Sequence, residues 1–442
     1  MAALEAMLAL RAIAGQRVHT SLLAPDPLFR YRPLSVAEPF ADVAPRHLDL
    51  AEIALENNAT FMRDALASVA PEERRVTTTS GRELEYDALL IAIGARGGTT
   101  VPGALAFWDS ADRGAFRELL DELSGGTVRS VAFAVPARVA WPLGLYELAL
   151  LTRAHLSKQG RADVRIMFVT PEAKPMAVFG DKASDVIAAL MTDAGIDLHL
   201  SSMPVAFEDR MLTLEGAPAL GCDRVVSLPI PEVPPIAGVP QDERGFIAVD
   251  RFCGVLGLER VFAAGDATTF PIKQGGVATQ AADAAAIAIA ALAGVPVDPQ
   301  PFRPVLRGAL LTGAGPRYMR ADALDATDNV SRSSLWWPPA KVAGRYLAPY
   351  LATRAGYEVP KADLVDLEPP PGEDATLVDS DREDIVAMAL ASAKTDAAER
   401  RFGSALRWLE IAEDLELYLP REYELDRAAW QELARRGGGR NQ

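Results

Sequence analysis

Two cysteines in 442 residues, Cys222 and Cys253, are too few for a disulfide-stapled secreted scaffold or a cysteine-rich metal site. A reducing compartment is therefore expected. Only four histidines occur, His19, His47, His155 and His199, and none stands in a metal-ligand spacing such as H-E-x-x-H, so no metal site is expected. Positive charge is also short. Lys plus Arg total 45 against 60 Asp plus Glu, a net charge of −15, and no basic run resembles a nucleic-acid arm. No nucleic-acid partner is expected. The longest apolar run, Ala284 to Val295, is too short to cross a bilayer, and no charged n-region followed by an apolar h-region opens the chain. Aromatic residues make up just 7%, but 49% hydrophobic and 24% charged residues exclude disordered, fibrous and collagen-like classes. The length allows roughly two to four domains.

What is present alternates between strand and helix patterns, as in parallel α/β proteins. Leu4, Met7, Leu8 and Ile13, closed by Gly15, read as an amphipathic helix, and Val18 to Leu23 as the strand after it. Tyr86 to Ala95, YDALLIAIGA, reads as a continuous strand buried on both faces. Val131–Val135 and Val164–Val169 are two more such strands, separated by a helix from Leu143 to Ser157, and form a second βαβ unit. Met203 to Leu228 carries shorter, turn-rich strands, and Pro229 to Pro240, with five prolines in twelve residues, is an extended connection. Val261 to Ala264 is a strand ending in Gly265-Asp266, and Gly275-Gly276 opens an alanine-rich helix reaching Gly294. Beyond the linker Leu367 to Asp374, Ser380-x-x-Glu383 is a capping box for a small helical tail.

The pattern richest in chemistry is Val261-Phe262-Ala263-Ala264-Gly265-Asp266-Ala267, followed by Pro271-Ile272-Lys273-Gln274-Gly275-Gly276. An apolar strand delivers Asp266 past a glycine to the carboxyl edge of a sheet, where α/β folds bind ligands. A carboxylate there can accept hydrogen bonds from sugar-type hydroxyls. The next helix begins at Gly275 or Gly276, so its free N–H groups and positive dipole end can face a negative ligand atom, and Lys273 adds a full charge at that end. The bland alternative is a strand, a turn and a helix with a surface lysine.

These residues resemble the second FAD motif of the pyridine nucleotide-disulfide oxidoreductase superfamily, in the branch containing type II NADH dehydrogenases, sulfide:quinone oxidoreductases and flavocytochrome c sulfide dehydrogenases. Leu22 to Pro33 is similar to that branch's second strand and the loop leading to the flavin, and YDALLIAIGA to its Y-D-x-L-x-x-A-x-G-A stretch. The resemblance covers most of residues 1–350. It implies an α/β fold of two Rossmann-like domains with a C-terminal interface region and a small helical tail. The FAD-binding domain would comprise residues 1–100 and 245–300, an NAD(P)-binding-like domain 101–244, the interface domain 301–366, and the linker and helical extension 367–442. FAD is the cofactor implied. Asp266 would bind its ribityl or pyrophosphate region, with Gly265 allowing close approach. Lys273, Gly275 and Gly276 would lie by the flavin's pyrimidine end, Lys273 in the catalytic role, and Arg32, Pro33, Gly94 and Ala95 would line the groove. The partners implied are a small-molecule electron donor and acceptor, a quinone among the candidates. The expected location is cytoplasmic, with a peripheral contact on the inner face of the membrane and a homodimer both left open.

Three features depart from the family pattern. The chain opens on the helix that normally follows a strand and G-x-G-x-x-G, and the expectation is that upstream DNA encodes that strand and turn in frame. At the end of the second strand, where the fold places Asp or Glu for a ribose, stands Ala24-Pro25-Asp26, so Asp26 is either a substitute or a turn aspartate. After Val131–Val135 the sequence reads Pro136 to Gly144 with one late glycine, which leaves little room for a dinucleotide pyrophosphate. Leu145-Tyr146-Glu147 resembles the A-Y-E of sulfide-oxidising relatives, but their redox cysteine just before it is replaced by the Trp141 region. Cys222 and Cys253 are expected to be structural. Trp336-Trp337-Pro338-Pro339 with Lys341, Arg345, Tyr346 and Tyr350 suggests either an aromatic, basic-edged surface for a membrane or a cluster sealing the flavin-side core or a dimer interface. Two functions compete at this stage: an FAD-dependent oxidoreductase with no cysteine-disulfide couple, and a non-catalytic descendant of the fold acting as an interaction or regulatory module.

Overall fold

The computed structural model describes residues 1–40, 47–137, 139–322, 328–332, 334–336 and 340–355, together with positions 390, 393–394, 397–398, 402, 405–406, 409, 423, 426–431 and 433. The chain divides into two units. The first comprises Met1–Val330 and Trp337–Leu351, and the second Ser331–Trp336 and Ala352–Gln442. The described positions of the tail are helical, and Leu390, Ala393, Ala405, Leu409, Tyr423 and Trp430 form its own apolar cluster. The capping box at Ser380 and Glu383, and Trp337-Pro338-Pro339, lie outside the described residues.

Within the first unit, the middle of the chain builds a five-stranded parallel sheet in the order Leu105–Ala106, Arg224–Ser227, Ser130–Ala134, Arg165–Val169, Ile196–His199. Its apolar runs follow from burial on both faces. Val131, Phe133, Ile166, Phe168 and Val226 point into the core that holds Leu145, Tyr146 and Leu148, while Ala132, Ala134, Met167, Val169 and Val225 point the other way, onto Leu212, Leu214 and Cys222. Those last residues belong to or adjoin an antiparallel flap, Pro204–Glu208, Met211–Leu214 and Ala217–Gly221. The turn-rich reading of Met203 to Leu228 thus holds for the flap. It fails for Arg224–Ser227, an internal strand whose valines are both buried.

The ends of the first unit come together around helix α1 (Ala2–Ala14), which stops at Gly15 with φ 58°. One face of α1, with Ala2, Ala6, Ala9 and Leu10, packs on the alanines of the long helix Gly275–Leu292 and on Phe262. The other face, with Leu4, Met7 and Leu8, covers Leu22, Phe29, Leu50 and Ile53. Below α1 lie two separate parallel strand pairs: Ser21–Ala24 with Thr60–Arg63, and Leu89–Ile91 with Val261–Ala263. The first strand therefore sits three residues later than Val18. The ten-residue strand expected from Tyr86 to Ala95 is cut to three: the Tyr86 N–H is taken by the Arg74 carbonyl, and past Ile91 the chain leaves the ladder and turns at Gly94, φ 70°. Gly275–Leu292 is long and apolar enough to span a membrane, further than Ala284 to Val295 alone suggested, but most of it is buried in the fold as a core helix. Val305–Leu310, buried along its whole length, pairs antiparallel with Arg317–Asp322.

Candidate functional site

Where the carboxyl ends of Leu89–Ile91 and Val261–Ala263 meet the start of Gly275–Leu292, the first unit forms an open-mouthed cavity of about 810 Å³. That lies within the ~300–1,000 Å³ usual for ligand pockets. Arg32, Pro33, Gly94, Ala95, Gly265, Asp266, Lys273 and Gly275 all line it, brought together from three separated stretches of chain. Gly276 does not line it; a Cβ there would press on the Gln274 side chain at 3.1 Å.

Gly265 is required by its conformation and its surroundings. Its φ is +79°, and a Cβ would stand 3.1 Å from that of Ala278 and 3.4 Å from that of Ala2. The next residue, Asp266, has no hydrogen-bond partner among the described residues. Burial pushes its carboxyl above the usual range, opposed by the charges of Arg32 and Lys273. A half-buried carboxylate with no donor has lost part of its hydration without a replacement, and a ligand hydroxyl would supply one. The Arg32 guanidinium lies 4.0 Å from the centroid of the Trp108 ring, a cation–π contact that fixes it at the rim.

Two side chains at the helix end are engaged within the protein. Gln274 caps the helix: its Oε1 accepts the Val277 N–H at 2.8 Å while its Nε2 donates to the Arg307 carbonyl at 2.9 Å, so one of the free donors is already used inside the protein. Lys273 is held by the turn before the helix. Its Nζ donates to the Thr268 and Phe270 carbonyls at 2.5 and 2.7 Å and stands 3.9 Å above the Phe246 ring centroid. Burial lowers its pKa to about 8 despite the opposing charge of Asp266.

Asp26 is a turn aspartate. It accepts the Leu28 N–H at 3.0 Å, pairs with Arg30 at 3.0 Å, and does not line the cavity. In the middle sheet, Val139, Ala140 and Trp141 occupy the turn after Ser130–Ala134 and face the same cavity; Arg138 lies outside the described residues. Beyond the next strand Glu172 accepts the Tyr146 hydroxyl at 2.8 Å and the Thr170 hydroxyl at 2.9 Å, with Tyr146 stacked on Phe168 at 4.0 Å. Both cysteines are free and buried, Cys222 under the flap and Cys253 beside α1. Burial raises their thiols to about 11 and about 12.

The cavity also holds a pair that the sequence did not assign, Glu147 with Lys341. Glu147 is only 1% exposed, accepts the Leu311 N–H at 2.9 Å, and forms an ion pair with Lys341. Burial raises the acid and lowers the amine, each opposed by the other's charge. Glu147 was visible in Leu145-Tyr146-Glu147. Its partner, 194 residues later, carried no local signal.

Comparison with known proteins agrees with this fold. Two NADH dehydrogenase-like proteins of Mycobacterium tuberculosis, from strains CDC 1551 and H37Rv, are each 25% identical over 240 residues, covering 51% of this chain and 59% of the relative. The chain thus spans less than two thirds of the length of those relatives. The structure is similar to sulfide:quinone oxidoreductase from the hyperthermophilic bacterium Aquifex aeolicus, with TM-score 0.68 at 20% identity over 80% of this chain and 86% of that one. It is also similar to a ferredoxin reductase from Rhodopseudomonas palustris, with TM-score 0.55 at 19% identity over 73% and 80%. At these identities the likeness is one of fold. The model of the family described as pyridine nucleotide-disulphide oxidoreductase matches residues 1–286, including the Gly265-Asp266 turn and the start of the helix behind it, and the chain belongs to that family of FAD-binding oxidoreductases.

Proposed function

We propose that the cavity holds FAD and that the chain passes electrons through it from a small donor to a quinone or another small oxidant. The observation that supports this most is the unpartnered Asp266 carboxylate, set at a sheet's carboxyl edge in a cavity of about 810 Å³. Asp266 would accept from the ribityl or pyrophosphate side of the cofactor, with Gly265 and Gly275 admitting it closely. Gly94, Ala95, Arg32 and Pro33 would form the groove wall. Lys273, its amine held by two carbonyls, would set a positive charge where the ring system gains electrons. When bound, FAD supplies the electron-transfer chemistry, and the protein supplies binding, orientation and charge. The buried Glu147–Lys341 pair holds a proton at the cavity wall.

The donor is neither a protein dithiol nor a dinucleotide docked on the middle sheet in the usual way. Trp141 stands where a glycine turn would leave space, and Glu172, at the edge where such sheets take a ribose, is already bonded to Tyr146 and Thr170. Peripheral contact with a membrane, where quinones reside, is part of this reading; Arg345, Tyr346 and Tyr350 would lie at that surface. The decisive experiment is the absorbance spectrum of the purified chain with FAD extraction, before and after reconstitution. Bound FAD in near one-to-one ratio is expected. A protein that stays colourless after reconstitution would favour the second reading, a non-catalytic interaction module, for which Asp26, engaged in its own turn with Leu28 and Arg30, and the crowded Pro136 to Gly144 turn speak.

A further inference from the structure

Away from the cavity, two acids meet inside the protein. Glu5 of α1 is 0% exposed and lies beside the half-buried Asp283 of the Gly275–Leu292 helix, near enough for each carboxyl to act on the other's titration, and two carboxyl groups so close favour a shared proton. The Oδ1 of Asp283 is sealed from solvent and has no hydrogen-bond partner among the described residues. Both oxygens of Glu5 also accept from the backbone where the last helix of the unit begins: Tyr346 N–H to Oε1 at 2.8 Å and Leu347 N–H to Oε2 at 2.7 Å. Gly344 lies so close that a Cβ there would stand 2.6 Å from Glu5 Oε2. Just upstream on the same strand of chain are Lys341 and Val342, which line the cavity, with the Val342 N–H bonded to the Tyr31 hydroxyl at 3.1 Å.

We propose that Glu5 and Asp283, sharing one proton, are positioning residues that latch the 343–347 segment onto α1 and so hold the Lys341 and Val342 wall of the cavity closed. With the proton in place the pair carries one negative charge, which the N–H groups of Tyr346 and Leu347 receive. Loss of the proton leaves two like charges in contact with little solvent to screen them, and the bonds that Glu5 accepts from Tyr346 and Leu347 are the ones their repulsion loads. Among the described residues, the other charged or titratable groups facing the pair are Arg345, the Tyr346 phenol and the α-amino group of Met1. Arg345 opposes the proton on Asp283 without matching the effect of burial. The folded protein therefore keeps a proton on Asp283 well above the ordinary carboxylate range, and the latch weakens as pH rises through that raised pKa.

This inference rests on the proposed reading only in taking the wall as part of a cofactor cavity, so the test reads the latch directly and measures flavin content separately. Hydrogen exchange followed by mass spectrometry on residues 340–351 of the full chain, corrected for intrinsic rates, is run from about pH 5 to about pH 9. Protection should hold at low pH and then fall roughly tenfold per pH unit above the pKa of the pair. Asp283→Asn, whose amide can donate to Glu5 as the protonated acid does, should keep protection across the range, and Glu5→Gln should lose it throughout. Should Glu5→Gln fail to fold, carbon-13 titration of the Asp283 carboxyl in the wild type stands in. An ordinary pKa there, or the same pH-dependent loss in Asp283→Asn as in the wild type, would overturn the latch whatever the flavin content.

Discussion

The Tyr146 hydroxyl donates to Glu172 at 2.8 Å, and with that bond the acid beyond the Arg165–Val169 strand is satisfied from within the protein. Thr170 supplies a second bond, and the stack on Phe168 holds the phenol in place. A ribose would have to displace both.

NADH and NADPH are accordingly expected to reduce the bound flavin slowly or not at all in anaerobic stopped-flow mixing. Sulfide, tested alongside, probes the other donor class. Fast bleaching by NADH would overturn the reading of the middle sheet.

Asp266→Ala should separate two properties. Flavin content should drop to a small fraction of the wild-type value, because the ligand loses its acceptor. The apoprotein should melt close to the wild type, since the half-buried carboxylate has no hydrogen-bond partner among the described residues and only the opposing charges of Arg32 and Lys273 to lose. Full flavin content in the variant would place the site elsewhere.

Lys273 should leave a signature in both redox and pH behaviour. Lys273→Met is expected to keep FAD but lower its reduction potential, measured by dye equilibration. With a folded pKa of about 8, below that of the unfolded chain, the folded state binds fewer protons between there and the ordinary lysine range. Apoprotein stability should therefore gain across that window as pH rises, and the variant should lose the slope. An unchanged potential would separate Lys273 from the flavin.

The Cys222→Ser, Cys253→Ser double variant should retain whatever activity the wild type has. Thiols raised to about 11 and about 12 are protonated at neutral pH and buried, so alkylation of the native protein should need hours or denaturant. Sulfide-dependent reduction abolished in the double variant would contradict this.

Much of the fold was legible because both faces of the middle sheet are buried: runs such as Val131–Val135 and Val164–Val169 then have no polar interruptions to obscure them. Gly265-Asp266 was legible because strand, turn glycine and acid lie together in sequence. Other features depend on partners far along the chain. Nothing near Gln274 announces that its amide reaches Arg307, nothing near Glu147 announces Lys341, and Glu5 looks like an ordinary first-turn acid until Asp283 and Tyr346 come to meet it. The reach of YDALLIAIGA was misjudged for another reason: an apolar run shows burial, but the end of the ladder was set by the Tyr86–Arg74 backbone bond and the turn at Gly94.

The alanine-on-alanine seam between α1 and Gly275–Leu292 also bears on how the chain is made. On a ribosome adding about 5–20 residues per second, α1 emerges more than ten seconds before the helix that covers it exists. The sheet between them can close in the meantime, since its strands and flap lie within residues 105–227. Synthesis thus delivers a finished centre flanked by a helix whose alanine face is still bare. Chaperone demand and aggregation during expression should concentrate in that interval, and a circular permutant that places α1 after Leu292 would remove the wait.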